Sequence, residues 1–163
     1  MASITLRNLT KRFGSVTAVD QMNLELQEGE LIAFLGPSGC GKTTTLRMIA
    51  GFELPTDGEI LFGTNPVTNL MPEKRNIGMV FQNYALFPHM TVWQNVAFGL
   101  EMRKVPKEET ARRVQDILNR TQLGNVGEPY PRQLSDAQQQ RTALARALVI
   151  DPAVLLLDEP PAY

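Results

Sequence analysis

The sequence predicts an α/β domain, and three observations carry that expectation. Strand-like alternation fills the first third, two later runs are apolar at every position, and helix-like stretches separate the later strands. Ile4 and Leu6 alternate with Thr5 and Arg7, and Met22, Leu24 and Leu26 alternate with Asn23 and Glu25, which is the period of half-buried strands. Phe13-Gly14 separates these runs, and Glu28-Gly29-Glu30 ends the second. Leu31, Ile32, Ala33, Phe34 and Leu35 have no polar break, as suits a central parallel strand covered on both faces. Positions 44–50 have helical character and Gly51 can stop them. Residues 59–62 and 77–81 are further strand candidates. Pro106 starts a helix with Glu108 and Glu109 near its positive end; Val114, Ile117 and Leu118 share a face, and Gly124 closes the segment. A second helix begins near Ser135, with Ala143, Leu144, Ala147 and Leu148 as its apolar stripe. Asp151-Pro152 breaks it before a strand over 154–157.

Charge and cysteine content exclude some classes. The 16 basic residues against 17 acidic ones leave a net charge of -1, which argues against a broad electrostatic grip on nucleic acid. One cysteine rules out an intrachain disulfide and fits a reducing compartment. No apolar run reaches the roughly 18 residues of a membrane span, and the first residues lack the apolar core of a signal peptide. The expectation is a soluble, intracellular, folded chain.

Residues 36–43 read Gly36-Pro37-Ser38-Gly39-Cys40-Gly41-Lys42-Thr43 and fit the pattern G-x-x-x-x-G-K-S/T at every fixed position. Glycines let successive backbone N–H groups face one concavity, which a helix N-terminus closes with partial positive charge. Lys42 can reach the β- and γ-phosphates of a nucleotide, and the Thr43 hydroxyl can ligate Mg²⁺, with Thr44 following on the helix. The alternative is a glycine-rich turn with an incidental lysine. Cys40 is either a reactive thiol at a helix end or a small residue tolerated at a variable position.

The strand over 154–157 delivers Asp158 and Glu159 at its C-terminal end, where open α/β sheets place ligands. Asp158 suits a Mg²⁺-holding carboxylate, and Glu159 is placed to orient and polarise an attacking water. Alone, Asp-Glu-Pro after a strand is an ordinary turn; the phosphate loop is what favours the catalytic reading.

With those two motifs in place, the chain from about Ser3 to Pro160 resembles the ATP-binding subunit of an ABC transporter. The resemblance implies a P-loop NTPase fold of the ABC-type ATPase class. That fold has an N-terminal antiparallel β subdomain, a mostly parallel core sheet and a helical subdomain at about 83–135. Lys11-Arg12-Phe13-Gly14 is similar to the adenine-stacking loop, which would lay Phe13 on the base with Val19 beside it. Met79-Val80-Phe81-Gln82 is similar to the glutamine loop, where Gln82 would touch Mg²⁺ and the water. The stretch Asn83-Tyr84-Ala85-Leu86-Phe87-Pro88-His89-Met90-Thr91-Val92 resembles importer subunits, in which this region packs on a helix of the membrane permease subunits. Together with Tyr130-Pro131-Arg132-Gln133 it is most like polyamine or iron importers, with sugar, sulfate and phosphonate importers close. The resemblance also implies a cytoplasmic position on the inner face of the membrane and only indirect contact with a solute-binding protein. Read alone, Phe13 would be a core aromatic and Gln82 a surface glutamine, His89 has packing or surface duty, and Arg141 and Arg146 are solvated or paired.

The chain departs from the family in two places. Leu134-Ser135-Asp136-Ala137-Gln138 stands where the signature is Leu-Ser-Gly-Gly-Gln. In the family two subunits sandwich ATP head to tail, and the signature serine, here Ser135, meets the partner's γ-phosphate. A Cβ atom and the Asp136 charge at that point are expected to weaken the homodimer and slow hydrolysis. Second, Pro161-Ala162-Tyr163 follows where the family continues with a Ser-Ala-Leu-Asp-like loop, further strands and a histidine. The domain over 1–163 is therefore expected to be incomplete, and the strand ending at Leu157 to lack neighbours. Two other readings stand beside the importer ATPase: a nucleotide-binding interaction protein without useful hydrolysis, and an ABC ATPase acting on DNA or ribosomes. The stretch after Gln82 and the near-neutral charge weigh against the last.

Overall fold

The computed structural model describes residues 2–158. The chain divides into two compact units, Met1–Ile77 and Gly78–Tyr163. The first unit holds β1 (Ile4–Phe13), β2 (Val16–Leu26), α1 (Lys42–Ala50), β3 (Asp57–Phe62) and the short β4 (Asn65–Pro66). The four strands form one antiparallel sheet in the order β2-β1-β3-β4. Ile4 faces Leu26 and Phe62, and Leu6 faces Leu24 and Ile60, so the alternation in the sequence becomes one apolar face of the sheet. Ile4, Leu6, Leu9, Ile60 and Phe62 are buried there. Gly14, with φ +57°, turns β1 into β2.

α1 starts two residues earlier than the apolar pattern indicates and buries Leu46, Met48, Ile49 and Ala50. Gly51 ends it at φ +83°, a left-handed position that suits glycine. Arg75 completes that end. Its guanidinium is buried and donates to Met48 O (2.7 Å), Ile49 O (2.8 Å), Leu70 O (2.8 Å) and Thr68 O (2.8 Å). Desolvation lowers its pKa from the ordinary value. A cation is favoured at the carbonyl end of a helix, and this one also ties the 68–70 turn to α1.

The strand expected over residues 31–35 does not form. The run is irregular and belongs to neither sheet, and Leu31 and Leu35 are 93% and 91% exposed. Uniform apolarity calls for cover on both faces, but strand structure also needs ladder partners, and no strand is paired with this run among the described residues.

The second unit runs β5 (Ile77–Val80), α2 (Val92–Met102), α3 (Lys107–Arg120), α4 (Asp136–Leu148) and β6 (Val154–Leu157). β5 and β6 are neighbours, and the Asp158 N–H donates to Val80 O at 3.0 Å. Val92, Val96, Leu100, Val114, Leu118 and Leu123 lie in the helical core, and Val80 and Tyr84 pack with Ala143 and Ala147 of α4. Gly78 allows this approach, because a Cβ there would stand 2.5 Å from Ala147 O.

α2 was not expected as a separate helix. It begins with a capping box in which Thr91 Oγ1 accepts from Gln94 N–H and the Gln94 side chain accepts from Thr91 N–H. α3 ends at Arg120, short of Gly124. Gln122 takes the left-handed position at φ +58°, and Leu123 N–H donates to Leu118 O at 2.7 Å. Burial of Leu123 draws the chain inward before the glycine is reached.

Two consequences can be measured. Arg75→Met should lower unfolding free energy by about 2–4 kcal/mol, since buried carbonyls lose their donors; an unchanged urea midpoint would contradict this. On α3, Glu109 accepts from Arg112 and Arg113, which hold its carboxyl down at about 2 against an ordinary 4.5. A depressed pKa gives stability that is present above pH 4.5 and disappears as pH falls through 2. The gap in melting temperature between wild type and Glu109→Gln should therefore exist at neutral pH, close below pH 2 and shrink in high salt.

Candidate functional site

Residues 36–41 leave the irregular run and enter α1 through two left-handed glycines, Gly39 at φ +83° and Gly41 at φ +91°. Cys40 N–H donates to Pro37 O at 3.4 Å, closing a turn, and Pro37, Ser38, Gly39 and Cys40 are exposed. A Cβ at Gly41 would stand 2.4 Å from Ala18 O and 3.1 Å from Val19 Cγ2, so strand β2 backs directly onto the loop. Gly41 is the N-cap of α1 and gives no side-chain cap, and the first helical bond runs from Thr45 N–H to Gly41 O at 2.8 Å. Lys42 bends over the loop, its ammonium donating to Gly36 O (2.7 Å) and Pro37 O (2.9 Å). Thr43 and Thr44 occupy the same first turn, half-buried. Glycine conformations, a helix start and an ammonium group converge here on one turn of chain, the arrangement that receives an anion.

Val19, the residue expected beside the base, is buried against Gly41. Phe13 ends β1 and is 49% exposed, with Lys11 Nζ 4.9 Å from its ring centroid. That is a ring available for stacking and not a core aromatic.

Gln82 and Asp158 follow β5 and β6, and the Asp158–Val80 hydrogen bond brings both to the same end of that pair. Gln82 is exposed and Asp158 is buried. Ser135 is the N-cap of α4: its Oγ accepts from Gln138 N–H at 3.3 Å, and Gln138 Oε1 accepts from Ser135 N–H at 2.9 Å. Glu159 lies outside the described residues. Among the described residues no group of three His, Cys, Asp or Glu side chains gathers as a metal site.

Sequence reasoning missed the side chains that shape the segment after Gln82. Buried Asn95 of α2 accepts from Phe87 N–H at 2.8 Å and donates to Phe87 O, Met90 O and Thr91 O. Arg146 of α4 donates to Tyr84 O (2.9 Å) and Ala85 O (2.8 Å) and lies 5.3 Å from the Phe87 ring. Burial lowers its pKa. Of the solvated and paired alternatives the structure shows the paired one, and its partners are backbone carbonyls. Arg141 reaches Ala137 O and Gln122. His89 is exposed, with its ring 6.2 Å from that of Phe87. An apolar Ala-Leu-Ala setting around Arg146 was the available signal.

The fold is that of a P-loop nucleotide-binding protein. The family described as ABC transporter matches residues 19–162, and the chain belongs to that family. It is 55% identical over 157 residues to the sulfate/thiosulfate import ATP-binding protein CysA of Thermosynechococcus vestitus, covering 96% of this chain and 47% of that one. It is 54% identical over 158 residues to the Fe(3+) ions import ATP-binding protein FbpC of Brucella abortus, covering 97% and 45%. The chain thus spans about half the length of the curated relatives it matches. Among solved structures, cbiO1 from Clostridium perfringens, part of the ABC transporter complex cbiONQ, superposes with a TM-score of 0.87 at 34% identity, covering 96% of this chain and 65% of that one. The bacterial ABC transporter cassette MJ0796, a dimer, superposes at 0.84 with 33% identity over 94% of this chain and 72% of its own. The dimeric post-hydrolysis state of MJ0796 is bound to ADP and Pi.

Cys40 is exposed, and its Sγ lies 3.8 Å from Lys42 Nζ and beside Gly36, so a group added to the thiol stands next to the ammonium. Alkylation of Cys40 should abolish nucleotide binding in a fluorescent-nucleotide titration; full modification with unchanged affinity would reject that placement.

Proposed function

We propose that this chain is the ATP-binding part of an importer ATPase subunit and couples ATP binding and hydrolysis to solute uptake. The observation that carries the reading is the loop at residues 36–43, where the Lys42 ammonium bends over the turn that opens α1. A triphosphate would replace the carbonyls of Gly36 and Pro37 as the partner of that ammonium, and an anion is the better partner for a cation. The backbone of Gly36, Pro37, Ser38, Gly39, Cys40 and Gly41 and the first-turn residues Lys42, Thr43 and Thr44 would bind the phosphates. Phe13 would stack on adenine beside Val19.

Thr43, Gln82 and Asp158 would supply a hydroxyl, an amide and a carboxylate, donor types that suit a hard cation keeping water and phosphate ligands. Mg²⁺ bound there would neutralise phosphate charge. Gln82 and Glu159 would hold the attacking water in line with the γ-phosphate, and Lys42 would stabilise charge on the transferred group. Ser135 would meet the nucleotide held by a second copy of the chain.

The names of the relatives support the partner assignment. Transmembrane permease subunits would receive the segment after Gln82, in the helical subdomain at about 83–135, placing the protein at the cytoplasmic face of the membrane. No helix among the described residues is long and apolar enough to cross a membrane. A solute-binding protein would act only indirectly, and no nucleic acid is involved. The solute is proposed to be a polyamine or one of the ions named for the relatives.

Asp136 and Ala137 favour a second reading, nucleotide binding with little hydrolysis and a weakened dimer, because their Cβ atoms occupy the backbone that faces the partner's nucleotide. Measuring Mg-ATP binding and phosphate release separately distinguishes the two. Lys42→Ala should weaken Mg-ATP binding by about a hundredfold or more, as expected for losing a charge-assisted phosphate contact, while Glu159→Gln should preserve it. Equal affinity of wild type and Lys42→Ala would overturn the assignment. Wild-type binding with background phosphate release would select the second reading.

A further inference from the structure

We infer that Asp136 latches the start of α4 to the loop following Gln82, through the hydroxyl of Tyr84, so that Gln82 and Ser135 are carried by one mechanical body. Asp136 is the first residue of α4, and Tyr84 Oη donates to its Oδ2 at 2.9 Å. Tyr84 is buried, 7% exposed, with its ring against α4 residues Ala143 and Ala147. Tyr84 and the next residue, Ala85, both have left-handed backbone, at φ +59° and +46°. Two successive non-glycine residues in that region hold only when neighbours over-determine them. The neighbours are present: Arg146, near the other end of α4, takes the carbonyls of both residues. Helix α4 therefore grips one strained turn at two points, the side-chain hydroxyl from its first residue and the backbone from its last turn.

Gln82 lies two positions before the turn and Ser135 one position before Asp136. A displacement of either must strain or break the Tyr84–Asp136 bond, or move the other. The glycine of the family signature has no side chain to make this bond, so the latch belongs to this sequence. Asp136 acts as a positioning residue. Its functional meaning rests on the reading of Gln82 and Ser135 as nucleotide-facing, whereas the latch itself needs no nucleotide.

Hydrogen exchange on the whole chain without nucleotide tests it. Tyr84→Phe keeps the buried ring and removes only the donor; it should speed exchange about tenfold in both 82–87 and 138–141, the effect of losing one hydrogen bond to a charged group. Asp136→Ala should do the same, the double variant should do no more than either single one, and Asp136→Asn, which retains an acceptor, should restore protection. Faster exchange confined to α4 in Asp136→Ala, or additive effects in the double variant, would overturn the latch. Failure of the wild type to bind Mg-ATP would instead sink the functional reading and leave the exchange result standing.

Discussion

The peptide dipoles aligned along α1 make its two ends electrically unlike, and the first unit is organised around that difference. At the amide end the chain supplies no side-chain cap, only Gly41, and β2 is packed so close behind that a single Cβ would collide with Ala18 O. At the carbonyl end Arg75 is buried with four carbonyls as partners. Leu6, Leu9 and Ile60 of the sheet and Leu46, Met48 and Ile49 of the helix are all buried within this unit. A positive amide end supplemented by Lys42 would suit the anion proposed for this loop, and the glycines would let it approach backbone.

The second unit solves a different problem, that of holding a turn that does not hold itself. Left-handed backbone costs roughly 1–2 kcal/mol per non-glycine residue, so Tyr84 and Ala85 together cost about 2–4. Hydrogen bonds to a charged group contribute about 1.5–3 kcal/mol each, and Arg146 makes two. Those magnitudes favour the observed turn before the Asp136 contact is added. The desolvation that lowers the Arg146 pKa is offset in the same way, because its N–H groups meet carbonyls.

Patterns that depend on nearby residues were legible in the sequence. The alternation of β1 and β2, the loop at 36–43, the helix start near Ser135 and the strand at 154–157 all follow from period, turn chemistry or motif spacing. What was illegible depends on distant partners. Residues 31–35 show why: five apolar side chains specify burial but cannot say whether a neighbouring strand is there to pair with them. The carbonyl partners of Arg75 and Arg146 were illegible because such partners leave no trace in composition. The α2 start was readable, since Thr91 and Gln94 have capping-box spacing. The end of α3 was misplaced because glycine is the common left-handed residue and Gln122 is the one used.

Asp136 shows how structure changes an electrostatic argument without cancelling it. From the sequence, a carboxylate near a phosphate costs about 4 kcal/mol at 4 Å and an effective dielectric of 20. The carboxylate is instead held by the Tyr84 hydroxyl and stands in the first turn of α4, where the helix dipole also favours it. Both interactions lower the energy of this charge where it stands, exposed at the start of the helix. What does not fall is the steric effect, since the Cβ atoms of Asp136 and Ala137 are fixed by the helix backbone whatever the side chain does. Were a second copy to approach this helix start as proposed, the obstacle would be one of shape more than of charge, and shape is not screened by salt or by Mg²⁺.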